Sequence, residues 1–196
     1  MFWLIYSVLL WGVLHSLFAS LKVKEMTRQV FGLRVNRYYR LAYNIFAGAS
    51  FLMVLAVAAL IPDRRLYLVP LPWSGLMVLG ELLAVVMLLI GFRQTDPWEF
   101  LGLKQLSRLV ENTQGNLFTG GLNRYVRHPL YSAGLVFIWL MPLMTVNVLV
   151  INIALTIYVI AGAYLEERKL EREFGQSYAD YKAVTPMFIP FLKSGE

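Results

Sequence analysis

The chain has 196 residues, 58% of them apolar and only 15% charged, with 18 Lys and Arg against 12 Asp and Glu. That is one ordinary domain in length, and it is too apolar for a soluble protein of that size. The absence of cysteine excludes disulfides, a thiol nucleophile and thiolate metal sites, and two histidines cannot build a structural zinc site by themselves. The apolar residues fall in blocks of about 20, the length that crosses a bilayer, so the sequence reads as an integral membrane protein. In that setting the net charge of +6 points to loops facing anionic lipid rather than to nucleic acid.

Residues 2–20 form the first expected span. No basic residue precedes it and a basic cluster follows, the reverse of a secretory signal peptide. Lys22, Lys24, Arg28, Arg34, Arg37 and Arg40 then make a loop expected to stay in the cytoplasm, with the N-terminus outside. The second span covers 41–61 and ends at Pro62-Asp63-Arg64-Arg65, and Pro70 and Pro72 delimit the outer loop. The third span, 73–92, carries Glu81 near its middle. In the polar stretch 93–127, Pro97-Trp98 and Phe100-Leu101 read as a segment on the membrane surface with Trp98 at headgroup depth. Turns are expected at 112–116 and at Gly120-Gly121.

Residues 129–144 and 148–165 read as a helical hairpin turning near 142–147, its first limb short for a full crossing. Beyond Glu166 the helix is expected to run on into water. Glu167, Leu170, Phe174, Tyr178 and Tyr181 recur at three- and four-residue steps and so share a face, with a bend at Gly175. The expected fold class is an all-α integral membrane protein with about five transmembrane helices, a C-terminal helical hairpin and an amphipathic cytoplasmic tail helix. Residues 1–92 form a three-span region and 93–196 hold the surface segment, hairpin and tail helix, within one structural domain. Of the 18 Lys and Arg, 16 lie in segments assigned to the cytoplasm, which also places the C-terminus inside. The expected location is a multi-pass protein of the cell membrane, the inner membrane in a bacterium.

One stretch organises the polar residues: Arg124-Tyr125-Val126-Arg127-His128-Pro129-Leu130-Tyr131. Pro suits the first position of a helix, so the charged residues sit at the mouth of a helix entering the membrane. His15 and Ser16, Asn44, Arg93 and Gln94, Arg127 and His128, and Glu166 and Glu167 all converge on the same leaflet in this topology. Ionisable groups at membrane depth usually face a protein interior or a watery cavity, which makes a polar pocket at the cytoplasmic rim the economical explanation. Each residue also has a plainer reading. The arginines can anchor a span end, the glutamates can pair with Arg168 and Lys169 in water, and the tyrosines can form an interfacial belt. His15 can be a buried histidine bonded to a carbonyl, and Glu81 a neutral or paired group inside the bundle, or part of a substrate route.

Gly121, Tyr125, Arg127-His128-Pro129, Tyr131 and Gly134, followed by Glu166-Glu167, Leu170, Phe174-Gly175, Tyr178 and Tyr181, resemble the C-terminal signature of the isoprenylcysteine carboxyl methyltransferase and phospholipid methyltransferase superfamily. His15-Ser16, Ala19-Ser20, Asp96-Pro97 and Glu99-Phe100-Leu101-Gly102 look more like its NnrU-like and methanethiol S-methyltransferase branch. The resemblance implies S-adenosylmethionine as cofactor, held by Tyr125, Arg127, His128, Pro129, Tyr131, Glu166, Glu167 and Tyr178. On that reading Glu167 takes the cofactor's ammonium, Arg127 and His128 take its carboxylate, and Tyr131 and Tyr178 flank adenine or the sulfonium. His128, with Arg127, carries any catalytic role; His15, Asn44, Glu81 and Arg93 are the substrate-binding candidates; no metal is implied. The acceptor is a small or lipophilic thiol, carboxylate or amine, and the divergent N-terminal half argues against prenylated proteins. The expected partners are the bilayer and that acceptor, with no nucleic acid, and the oligomeric state is open. Two other readings stay open: a non-catalytic NnrU-like accessory protein, and a haem protein with His15 and His128 as axial ligands.

Overall fold

The computed structural model describes residues 1–32, 35–107 and 117–192. The turn expected at 112–116 and the basic residue Arg34 lie outside them. Among the described residues, four helices are long and apolar enough to cross a membrane: α1 (Phe2–Ala19), α3 (Val35–Leu60, apolar from Arg37), α4 (Trp73–Gln94) and α8 (Val146–Phe174). Their surfaces are dominated by exposed Leu, Val, Ile and Met, the composition of helices that face lipid. The protein is an all-α integral membrane protein.

Between the spans lie shorter elements: α2 (Leu21–Phe31), β1 (Arg65–Leu68), α5 (Pro97–Leu101), α6 (Lys104–Ser107), a 3-10 turn (Gly121–Arg124), α7 (Pro129–Trp139), β2 (Leu143–Thr145) and α9 (Gln176–Val184). One of these revises the sequence reading. The basic stretch after Ser20 is a helix, not a loop. The Ser20 hydroxyl caps it by accepting from the Val23 N–H (3.3 Å), and Gly32 ends it at φ +76°. The limb expected to be short for a full crossing is short. α7 has 11 residues and so is about 16 Å long, well short of the roughly 30 Å hydrocarbon core. Pro142 stops it: proline has no N–H and pushes Met141 out of the helical region. The chain extends instead, and the Pro142 carbonyl accepts from Val69 N–H (2.9 Å) beside the paired strands β1 and β2.

The chain forms two compact units. The first comprises Met1–Arg65, Thr95–Thr113 and Thr145–Ala154. In it α1 packs along α3, with Trp11 donating to the Ala47 carbonyl (3.3 Å) and Tyr43 OH 2.8 Å from His15 Nε2. α5 is stapled to the start of α3. Asp96 caps it by accepting from Glu99 N–H (3.3 Å), and Asn44 donates to the Phe100 carbonyl (3.0 Å). Gly102 closes α5 at φ +85°, where a Cβ would lie 2.6 Å from Leu41 N. Strain and collision with backbone add there, so Gly102→Ala should lower stability by about 1–3 kcal/mol, read as an earlier thermal unfolding midpoint in detergent.

The second unit comprises Leu66–Gln94, Gln114–Met144 and Leu155–Glu196. Its centre is α4 against α7, held close because Gly80 and Gly91 of α4 admit Leu140 and Leu130. α8 runs on past its apolar part to Phe174, and Trp139 Nε1 donates to Thr156 Oγ1 (2.9 Å) across the α7–α8 return. Gly175 at φ +55° then turns the chain into α9, the bend expected from the sequence.

Candidate functional site

The buried polar side chains that meet in the second unit surround the start of α7. Pro129 occupies the first helical turn, so Arg127 and His128 stand just ahead of the helix with their backbone N–H groups free of it. Late α8 supplies Glu166 and Glu167, and α9 with the segment after it supplies Tyr178, Tyr181, Lys182 and Thr185.

The centre of this arrangement is buried. Arg127, His128 and Glu167 are 6%, 6% and 2% exposed. Arg127 Nε donates to Glu167 Oε1 at 2.6 Å although the two residues are 40 apart in sequence. His128 Nε2 lies 3.2 Å from the same oxygen, and Lys182 Nζ lies 3.5 Å from Oε2. Arg127 Nη1 donates to the carbonyls of Lys182 (3.2 Å) and Thr185. A buried ion pair persists only when such extra hydrogen bonds offset the loss of water from both charges. Glu167 is thus committed to protein partners on both oxygens.

A strap of chain after α9 locks this centre. Arg127 N–H donates to the Pro186 carbonyl (2.9 Å) and His128 N–H to the Met187 carbonyl (3.1 Å). Ser132 Oγ lies 2.7 Å from the Phe188 carbonyl and 3.0 Å from that of His128, sharing its one proton between them. Asn123 Nδ2 donates to the Arg127 carbonyl (3.2 Å) and Tyr181 OH to the Asn123 carbonyl (2.5 Å). The residues of this strap, Thr185 to Phe188, were not singled out in the sequence. The only sequence signal is Thr185-Pro186, which stops α9, because the strap acts through carbonyls that every residue type carries. Ser132→Ala removes its side-chain tie and should cost about 1 kcal/mol in detergent unfolding, with Ser132→Thr restoring most of it.

Against the buried centre lies a pocket of about 250 Å³ lined by Leu117, Phe118, Asn123, Arg127, His128, Glu166, Leu170, Phe174, Tyr178 and Tyr181. That is just below the roughly 300–1,000 Å³ common for small-molecule sites. Glu166, not Glu167, is the carboxylate on its wall; the Glu166 side chain is 46% exposed, accepts from Tyr131 OH (3.0 Å) and lies 3.7 Å from His128 Nδ1. The Tyr131 ring stacks on His128 (5.4 Å between centroids, 11° between planes). Tyr178 is 1% exposed, and its hydroxyl has no hydrogen-bond partner among the described residues. Burial, with the neighbouring Glu167 charge, pushes that phenol's pKa well up, so it stays a neutral donor. Lys182 is held protonated by its bond to Glu171 (2.7 Å).

The structure therefore brings together Arg127, His128, Tyr131, Glu166, Glu167 and Tyr178, with Pro129 buried beneath them. Tyr125 points away, 58% exposed. Glu81 and Arg93 belong to the same unit but do not line the pocket, and His15 and Asn44 belong to the first unit. Asn123, Tyr181 and Lys182 complete the site without having been proposed as site residues from the sequence. Among the described residues, no three His, Asp or Glu side chains cluster as metal ligands.

A buried Arg–Glu–His centre beside a half-apolar pocket at the end of a membrane helix is the chief polar feature of this membrane protein. The family described as protein of unknown function DUF1295 matches residues 2–185, and the chain belongs to it, on the NnrU-like and methanethiol S-methyltransferase side of the isoprenylcysteine carboxyl methyltransferase superfamily. A protein of Pseudomonas deceptionensis named methanethiol S-methyltransferase is 30% identical over 191 residues, covering 95% of this chain and 71% of that one. Methanethiol S-methyltransferase 1 of Bradyrhizobium diazoefficiens is 28% identical over 197 residues, covering 94% and 65%. A methanethiol S-methyltransferase of Crocosphaera subtropica is 34% identical over 110 residues, covering 55% of this chain and 43% of that one. The chain thus spans from under half to less than three-quarters of these relatives' length. No solved structure matches it.

Proposed function

We propose that this protein is a membrane-embedded, S-adenosylmethionine-dependent methyltransferase that acts on a small thiol at the cytoplasmic leaflet. The observation that carries the reading is the pocket wall: a half-exposed carboxylate, Glu166, and a buried phenol, Tyr178, with no acceptor among the described residues, set against an apolar side of Phe118, Leu170 and Phe174. The thiol comes from the names of the relatives, all methanethiol S-methyltransferases.

The residues fit the cofactor's donor set. Glu166 suits an ammonium, Tyr178 OH an acceptor atom, and the aromatic and apolar side chains a purine face. Glu167 keeps Arg127 and His128 in place from behind, so the Arg127–His128 edge reaches the pocket with fixed orientation. When bound, S-adenosylmethionine supplies an electrophilic methyl carbon on a sulfonium. The protein's main contribution is then alignment, which can account for roughly 7–11 kcal/mol of barrier lowering. A thiol acceptor must also lose a proton. His128 Nδ1 faces Glu166 while Nε2 is engaged by Glu167, which makes Nδ1 the atom to receive it.

The test is transfer of labelled methyl from S-adenosylmethionine by the purified protein to short alkane thiols, amines and carboxylates in parallel. Transfer to thiols is expected. Cofactor binding with no transfer to any acceptor favours the accessory reading, and no binding at all removes the pocket's assignment. We further propose that α7 and the extended chain 140–144 together make a fifth crossing, which puts the N-terminus outside and the C-terminus in the cytoplasm. Reporter fusions after Asp63 and after Leu192 should then report opposite sides, and the same side for both would sink this orientation.

A further inference from the structure

We propose that α2, together with α5, is a collar that binds the headgroups of an anionic phospholipid leaflet. The inference does not depend on the methyl-transfer reading. α2 is joined to α1 through Ser20 alone and to α3 through residues 32–34, and both neighbours are long and apolar enough to cross a bilayer. A helix tethered so tightly at both ends stays at the membrane surface.

Its faces are sorted for that place. At about 100° per residue, Val23, Met26 and Val30 fall within about 60° of one another, and Glu25 and Arg28 fall on the far side. Lys22 and Lys24 flank the apolar side, where their stems can lie along acyl chains while the ammonium groups reach phosphate. Among the described residues most of this stripe stays open: Val23 is half-buried, but Met26 and Val30 are 64% and 74% exposed. The charge is one-sided as well. Lys22, Lys24 and Arg28 face a single acid, Glu25, which Arg28 meets at 3.5 Å, and Arg37 and Arg40 follow in the first turns of α3.

α5 extends the same surface. Its tie to Asn44 and the Gly102 contact with Arg40 and Leu41 fix it beside those turns of α3, and Trp98 stays 65% exposed. Tryptophan is enriched at headgroup level for its apolar body and polar edge. A narrow apolar stripe flanked by lysines and continuous with two spans fits a lipid surface. A protein-binding face at this position would not need that flanking charge.

The absence of native cysteine permits a direct test on the full chain. Single cysteines replace Met26, Val30 or Arg28, carry an environment-sensitive fluorophore, and are reconstituted into vesicles of phosphatidylglycerol with phosphatidylcholine or of phosphatidylcholine alone. Labels at both Met26 and Val30 should emit to the blue of that at Arg28 and be quenched by acrylamide roughly threefold less in the anionic vesicles. Lys22→Gln with Lys24→Gln should abolish the difference between the two lipids. Equal quenching at Met26, Val30 and Arg28 would overturn the docking. Equal protection in both lipids would overturn the anionic preference, and protection in native membranes but not in vesicles would assign the face to a protein partner instead.

Discussion

Arg127→Ala is expected to cost about 3–5 kcal/mol of stability, a large fraction of what a domain of this size possesses. The variant leaves the Glu167 carboxylate, 2% exposed, without its 2.6 Å partner, and also releases the carbonyls of Lys182 and Thr185. His128 and Lys182 remain nearby at 3.2 and 3.5 Å, but neither replaces the guanidinium's geometry. The check is reversible unfolding in mixed micelles. Replacing both members, Arg127→Met with Glu167→Leu, should cost less than the sum of the single substitutions, because no lone charge is then left in the interior. Additive losses would mean that the pair is not a coupled unit.

Glu166→Gln is expected to lower affinity for S-adenosylhomocysteine roughly 10- to 150-fold while leaving the unfolding midpoint unchanged. The substitution keeps shape and removes charge from a partly exposed wall, where a charge-assisted contact is worth about 1.5–3 kcal/mol. Glu167→Gln makes the complementary case: its first effect falls on stability, through Arg127 and His128, and its effect on binding follows from that. Titration calorimetry on both variants, each checked for folding, separates the two. If Glu166→Gln binds like the unsubstituted protein, Glu166 is not the ammonium partner. If instead only Glu167→Gln loses affinity in a well-folded protein, the ligand reaches behind the wall to the buried carboxylate.

The division of labour between these adjacent glutamates was not legible in the chain. The family resemblance assigns the ammonium to Glu167, and the three- and four-residue steps of its neighbours put it on a shared helix face. That pattern does identify the inward face of α8 and α9, and Glu167 and Tyr178 are indeed buried there. Inward, however, means toward Arg127, and the pocket opens one residue earlier, about 100° round the helix. Which face a pocket takes depends on where α7 and the strap stand, and no local pattern carries that.

What the sequence determined by itself is what hydropathy and capping chemistry settle within a few turns. The spans from α1, α3, α4 and α8 follow from long apolar runs, the start of α7 from Pro129, and the turn into α9 from Gly175. The α2 helix is equally local, with Ser20 and Gly32 at its ends, although its cluster of basic residues reads as a loop. Only the tertiary structure decided the rest. Arg127 and Glu167 meet across 40 residues, and Pro186, Met187 and Phe188 hold the centre through carbonyls that leave no side-chain signature. The physical reason is range: periodicity reports contacts a few residues apart, whereas buried charges find partners wherever the packed helices set them down.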